Sequence, residues 1–332
     1  MFTNLLAKHW YRRGTLARLL WPASLLFGAI VWLRRWGYRL RLLSSFRVGL
    51  PVIVVGNLVA GGSGKTPLVL WIAEFLLRHK WHPAIVARGY GVRLDTPRGA
   101  TILSEPAEVG DEPVLLARRS GCPVWVGPDR VQVIEAMRGS DPGVDILILD
   151  DGLQHYRLRR DIEIAVVDAR GFGNGLMLPA GPLREPPSRL RTVDAVVAHG
   201  TDAVKGWRMS LEGPLLRSFT DSSDRRPLEA FRGKKVHAVA GIGDPARFFL
   251  LLAKAGMQVL PHPFPDHHPF TPQDLAFSDG LPVVMTEKDA VKLRGAPGSD
   301  WWVLPVHTNI DPAFGDWLLA KLSGLGDKKR QS

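Results

Sequence analysis

A single cysteine, Cys122, is found in 332 residues. That scarcity excludes an intramolecular disulfide framework and any multi-cysteine metal site, and it suits a reducing compartment. Acidic residues are missing from the front of the chain, where none precedes Glu74. The N-terminal apolar stretch "LLWPASLLFGAIVWL", between Arg18 and Arg34, is uncharged but short. As a helix it would reach roughly 22 Å against a hydrocarbon core of about 30 Å, so a perpendicular span is marginal. Internal repeats and low-complexity tracts are absent, apart from a short polar "GDKKRQS" tail. With 45% hydrophobic residues the chain can bury a substantial core, a disordered or fibrous reading falls away, and the length suggests about two domains.

The formal charge of +11 would suggest nucleic acid if it were spread over the chain. Instead Lys8, Arg12, Arg13, Arg18, Arg34, Arg35, Arg39, Arg41 and Arg47 carry most of the excess before residue 50. These cations flank the apolar stretch together with Trp10, Trp21, Trp32 and Trp36. The pattern suits a helix lying in the headgroup region of an anionic membrane surface, and neither a nucleic-acid partner nor an obligate protein partner is expected. The plainer alternative is a core helix with a solvated basic edge. A secretory leader is the third reading, since Arg12-Arg13 precede the apolar stretch. Against it, "RRWGYRLRLL" stands where a small-residue cleavage site should be.

From Pro51 onward short apolar runs alternate with helical patterns, the signature of a parallel sheet with crossover helices. Expected strands are 51–56, 84–88, 123–127, 145–150, 162–168 and 194–199. A polar, turn-rich stretch begins at Thr220 and reads as a linker. Expected strands beyond it are 236–241, 282–286 and 301–306, with helical patterns near 245–255, 287–294 and 313–323. The division expected is a membrane-associated helical segment over 1–48, a P-loop core over 49–219, a hinge over 220–233 and a smaller αβα domain over 234–326. A cleft between two such domains is where an active site is expected.

"PVIVVGNLVAGGSGKTPLVLW" is a buried strand, a glycine-rich turn and an amphipathic helix in succession, which is the context a P-loop requires. Backbone amides and the positive end of the helix would face a polyphosphate. Gly61, Gly62, Ser63 and Gly64 form the turn, Lys65 supplies charge to the phosphates of ATP, and the Thr66 hydroxyl can ligate Mg²⁺. The usual first glycine of the pattern is replaced by Val59. "VDILILDDGLQH" ends a second apolar run in Asp150 and Asp151, adjacent acids that a cation would reconcile, so Asp150 or Asp151 is expected to hold Mg²⁺. Gln154 and His155 are near-site candidates.

Two function classes fit a basic, apolar N-terminus joined to an NTP-binding loop. A membrane-associated switch ATPase carries a second lysine in K-G-G-x-G-K-T, where this sequence has Ala60. A kinase with its acceptor at the membrane needs a base for the acceptor hydroxyl and cations for an anionic substrate. Candidates are Arg88 in "VARGYG", Asp111 and Glu112 in "VGDEP", Arg130 in "GPDR", Arg184 and Glu185 in "PAGPLREP", and Asp266, His267 and His268 in "PFPDHHPF".

In this order, "GNLVAGGSGKTP", "ARGYG", "GDEP", "DDGLQH", "GPLRE", "AGIGDPARFF", "FPDHHPF" and "TEKDAVK" resemble the tetraacyldisaccharide 4′-kinase family, the lipid A 4′-kinases of Gram-negative bacteria. The family's phosphate loop shares the missing first glycine. The resemblance implies two αβα domains joined by a hinge, a P-loop NTPase-type fold with a mainly parallel sheet, and transfer of the ATP γ-phosphate to the 4′-hydroxyl of a tetraacylated diglucosamine 1-phosphate. It implies a peripheral or monotopic place at the cytoplasmic face of the inner membrane. It also makes Asp111 the acceptor's base, paired with His267 although His268 stands beside it, and gives Arg130, Arg184 and Glu185 to the lipid headgroup or its phosphate. Glu287, Lys288 and Asp289 match the family's pattern without an assigned role, and Asp244 reads as a helix cap.

Overall fold

The computed structural model describes residues 9–293 and 300–330. Residues 1–8 of the expected membrane segment, residue 294 of the expected 287–294 helix and the last two residues of the tail lie outside the described residues. In chain order the elements begin with helices α1 (Thr15–Leu19) and α2 (Trp21–Arg39), strand β1 (Val52–Gly56), helix α3 (Lys65–Arg78) and strand β2 (Pro83–Ala87). There follow β3 (Arg98–Ala100), α4 (Pro106–Val109), α5 (Asp111–Ser120), β4 (Val124–Val126), α6 (Arg130–Ser140), β5 (Ile146–Asp150), β6 (Ile162–Asp168) and β7 (Ala195–His199). Strands β8 (Trp207–Glu212), β9 (Leu215–Ser218), β10 (Arg225–Pro227) and β11 (Lys235–Ala240) lead to α7 (Pro245–Lys254) and β12 (Gln258–Pro263). The chain closes with β13 (Val283–Thr286), α8 (Glu287–Ala290), β14 (Trp301–Leu304), β15 (His307–Ile310) and α9 (Pro312–Arg330).

Packing divides the described residues into two compact units, one of residues 9–88, 129–210 and 310–330, the other of 89–128, 211–293 and 300–309. In the first, strands run in the order β8-β7-β6-β1-β5-β2, all parallel. Strands β1 and β5 are buried throughout, which explains their unbroken apolar runs. Helix α3 sets Leu68, Val69, Ile72, Ala73 and Leu76 into this core. The register pairs Val55 with Asp150, so the loop leaving β1 and the acids ending β5 emerge side by side. That is the carboxyl edge, where parallel sheets bind ligands.

In the same unit α2 has two unlike sides. Ser24 donates a hydrogen bond to the Met177 carbonyl at 2.8 Å, and the Trp10 indole, upstream of the helix, donates to the Pro179 carbonyl at 3.1 Å. Leu25, Leu26, Trp32 and Leu33 are exposed. No helix among the described residues is long and apolar enough to cross a membrane.

The second unit holds a six-stranded sheet in the order β10-β9-β14-β13-β11-β12, parallel from β14 to β12 and antiparallel at β9 and β10. Alternation with period two builds a core on each face. Val236, Ala238, Ala240, Val284, Trp302 and Leu304 pack on one side; Val239, Val283, Met285, Trp301 and Val303 pack on the other. The sequence pattern did not mark β12, whose Pro261 and Pro263 argue against a strand. It lies at the sheet edge, where a missing N–H leaves no ladder partner unsatisfied. Residues 220–233 form β10 and a short 3-10 turn, Leu228–Phe231.

Candidate active site

In the first unit the phosphate loop is held open by its own surroundings. Gly64 has φ +79° and a Cβ there would lie 2.6 Å from His199 Nδ1, so only glycine fits ahead of Lys65, the first residue of α3. Val59, standing where the usual first glycine would be, forms an antiparallel bridge with Leu183. Extended pairing suits a β-branched residue, so that position has no need of glycine's freedom. The same pairing continues with Ala60 N–H donating to the Pro182 carbonyl at 2.8 Å and Arg184 N–H to the Leu58 carbonyl at 2.7 Å. It brings Arg184 from far along the sequence to the loop.

Asp151 receives two cations. Lys65 Nζ lies 3.5 Å from its Oδ1, and Arg184 donates to its Oδ2 at 2.8 Å. Burial pushes this carboxyl up, but Lys65 and Arg184 outweigh it and hold the group below its ordinary value. Asp151 also adopts φ +54°, a region that costs a non-glycine residue energy and so points to a functional constraint. Asp150 is buried. Burial lowers the Arg130 guanidinium to about 10 against the opposing charges of Asp150 and Asp151, with exposed Arg88 near enough to repel it. The sequence-derived Lys65, Asp150, Asp151, Arg130, Arg184 and Arg88 are therefore brought together in one unit. Gln154 donates to the Asn57 carbonyl at 3.1 Å, tying the two loops, while burial and Arg130 push His155 down to about 4. Glu185 points elsewhere: its carboxylate is 1% exposed, accepts from the Tyr156 hydroxyl and lies 3.4 Å from Arg189 Nε.

Arg170 was not singled out in the sequence. Its guanidinium donates to Asp168 at 2.9 Å and to the Gly62 carbonyl, so it braces the loop from the carboxyl end of β6. No periodicity marks such a residue; its only signal is a position just after an expected strand.

These residues fit ATP and Mg²⁺. The loop offers backbone amides at a helix N-terminus beside a lysine, and a hydroxyl with a carboxylate are hard oxygen donors of the kind Mg²⁺ takes when nucleotide phosphates supply other ligands. Among the described residues no three His, Cys, Asp or Glu side chains form a metal site of their own.

In the second unit a different pair forms. Gly110, φ +97°, turns the chain into α5, and Asp111 begins that helix with its Oδ1 accepting the Glu112 N–H at 2.8 Å. His267 Nδ1 lies 3.0 and 2.9 Å from the two Asp111 oxygens. Burial would raise the Asp111 carboxyl; the His267 hydrogen bond and the charges of Lys288, His267 and Lys292 bring it to about 2. The hydrogen bond to Asp111 in turn raises His267. Tyr90 of "ARGYG" packs its ring 5.0 Å from His267, a contact the sequence reading did not assign. His267 adopts φ +61°, and this separates the two histidines. His268 instead packs against Phe264 and Phe270 and lies 3.4 Å from Asp274.

Known proteins match this chain over nearly its whole length. Residues 16–323 match the family model LpxK, described as tetraacyldisaccharide-1-P 4′-kinase. The tetraacyldisaccharide 4′-kinase of Alkalilimnicola ehrlichii is 50% identical over 322 residues, covering 95% of this chain and 96% of that protein. The Methylobacillus flagellatus tetraacyldisaccharide 4′-kinase is 46% identical over 330 residues, covering 99% and 98% respectively. The crystal structure of LpxK from Aquifex aeolicus in complex with ATP superposes with a TM-score of 0.79 at 27% identity, covering 92% of this chain and 99% of that one. With a match of this extent and a phosphate loop built as described, the chain belongs to the tetraacyldisaccharide-1-P 4′-kinase family.

Proposed function

We propose that the chain is an ATP-dependent kinase that transfers the γ-phosphate to the 4′-hydroxyl of a tetraacyldisaccharide 1-phosphate, a lipid A precursor, at the cytoplasmic face of the inner membrane. The observation that carries this reading, beside the family match, is the buried Asp111 held by His267 Nδ1. A switch ATPase has no need of an acceptor base, and Ala60 replaces its second lysine.

Lys65 and the loop amides stabilise charge on the γ-phosphate. Bound Mg²⁺, held by Thr66 and Asp150 or Asp151, would offset further negative charge there. Asp111 accepts the hydroxyl proton. A carboxylate near pKa 2 is a weak base, but the hydroxyl becomes strongly acidic as its bond to phosphorus forms, so placement matters more than basicity. His267 N–H donates to Asp111 and keeps its oxygens aimed. Arg88, Arg130 and Arg184 supply charge for the acceptor's headgroup or phosphate, and Glu185 steadies that region through Tyr156 and Arg189. The test is ATP-dependent phosphorylation of the disaccharide 1-phosphate measured beside ATP hydrolysis without it. Product formation coupled to ATP use is expected; strong acceptor-independent hydrolysis without product would favour the switch ATPase.

The exposed apolar side of α2 and the N-terminal arginines account for membrane attachment. Removing residues 1–48 is expected to release the protein from anionic vesicles. Added salt should weaken binding of the full chain as the screening length falls from about 10 Å at 0.1 M to about 3 Å at 1 M. Co-sedimentation measures both, and a truncated chain that still pellets with vesicles places the anchor elsewhere.

A further inference from the structure

The "TEKDAVK" stretch has more built into it than a helix cap. Thr286 caps α8, and its hydroxyl donates to Asp289 Oδ2 at 2.6 Å. That cap requires neither lysine. Asp289, 1% exposed, also accepts the Gly241 N–H at 2.9 Å and the Lys292 ammonium at 2.8 Å. Lys292, with 5% of its side chain exposed, sets Nζ 3.5 Å from Asp111 Oδ2 and 5.3 Å over the Phe270 ring. One turn earlier, Lys288 Nζ lies 2.9 Å from Glu112 and 3.4 Å from Asp266. Two lysines of one short segment thus grip consecutive acids at the start of α5, and one of them also reaches the residue preceding His267. Burying charge for packing alone is costly, and an apolar residue would fill the same space at less cost.

We propose that Lys292, braced by Asp289, is a positioning residue that fixes the Asp111 carboxylate for proton acceptance, while Lys288 holds the His267 segment to the same helix start. The inference rests on Asp111 being the base. The charged and titratable groups about Asp111 are His267 and Asp266 from the loop after β12, Lys288, Asp289 and Lys292 from α8 and the turn after it, and Glu112 from its own helix. Removing the Lys292 cation has two opposed effects. The carboxylate becomes more basic, by roughly one pKa unit, which taken alone raises the rate by less than about tenfold. It also loses a fixed partner, and misplacement by about 1 Å costs up to about a hundredfold. Loss of placement is the larger.

The test uses full-length Lys292→Met and Lys292→Gln, with kcat for acceptor phosphorylation, KM for ATP, and the Asp111 titration midpoint from carboxyl carbon NMR. Expected are a kcat lower by about ten- to a hundredfold, an unchanged KM for ATP, and a midpoint raised by about one unit. A slower enzyme with a more basic carboxylate is the mark of lost positioning. Unchanged kcat, or a fall in kcat without a midpoint shift, overturns the inference. Asp111→Asn separates the two readings. Full turnover in that variant removes the base itself, whereas an inactive Asp111→Asn beside a fully active Lys292→Met removes only the role of the lysine. If neither lysine variant folds, Asp289→Asn, which weakens the brace on Lys292 and leaves both lysines in place, decides: a kcat lower by about tenfold with an unchanged KM for ATP supports the inference, and an unchanged kcat overturns it.

Discussion

Lys65→Ala is expected to lower phosphoryl transfer by on the order of a thousandfold while leaving the chain folded. The lysine opens α3 at the phosphate loop, and its ammonium is already committed to an anion, Asp151 Oδ1 at 3.5 Å. A cation placed there acts on charge that grows in the transition state, so its loss falls mainly on kcat. Stability depends on it much less. Asp151 keeps Arg184 at 2.8 Å, and a partly exposed ion pair contributes less than about 1 kcal/mol. Lys65→Arg is expected to rescue poorly, because a planar fork does not replace a compact ammonium beside a backbone cradle. Turnover with the disaccharide acceptor and a thermal melt of the same preparations check both halves. Normal turnover in Lys65→Ala would remove the lysine from the chemistry, and an unfolded variant would make it a structural residue.

What the sequence could show follows from which interactions are local. "PVIVVG" and "DILILD" read as strands because β1 and β5 are buried along their whole length, and the glycines between β1 and α3 read as a phosphate loop because turn chemistry is local. The strands missed, β3, β8, β9, β10, β12 and β15, are short, exposed or proline-bearing, and carry little apolar signal. Arg184 reaches the loop only through the pairing of residues 182–184 with 58–60, more than a hundred positions away, which no spacing rule contains. Arg170 and Lys292 escaped for a related reason: a charged side chain in a buried network leaves no periodic trace. The adjacent Arg184 and Glu185 part in opposite directions, one to Asp151 and the other to Tyr156. In "DHH" the family resemblance picks His267, but the residues alone do not separate the two histidines; in the structure His267, with its left-handed backbone, meets Asp111 while His268 lies against Asp274.

Asp111→Asn is expected to reduce turnover by about a hundred- to ten-thousandfold, the range for loss of a positioned base, with KM for ATP little changed. The amide keeps the shape but cannot take the hydroxyl proton, and it offers His267 Nδ1 only a neutral acceptor. The His267 midpoint should therefore fall from its raised position toward the ordinary histidine value, because the hydrogen bond to a charged carboxylate is its first cause. The two groups have opposite signs in stability. Asp111 is depressed, so its contribution is fully present above the unfolded carboxyl value and is lost as pH falls toward about 2. For a buried group that shift corresponds to about 2 kcal/mol. His267 is raised, so its contribution is present below the unfolded histidine value and is lost as pH rises through the folded one. Wild type should then exceed Asp111→Asn in stability at neutral pH, with the gap closing as the solution is acidified below about pH 4. Denaturant melts across that range, beside the kinase assay and an imidazole NMR titration, give three independent readings. A variant with full turnover would discard Asp111 as the base, and a constant gap down to pH 2 would discard the charge pairing as the reason the carboxylate is held where it is.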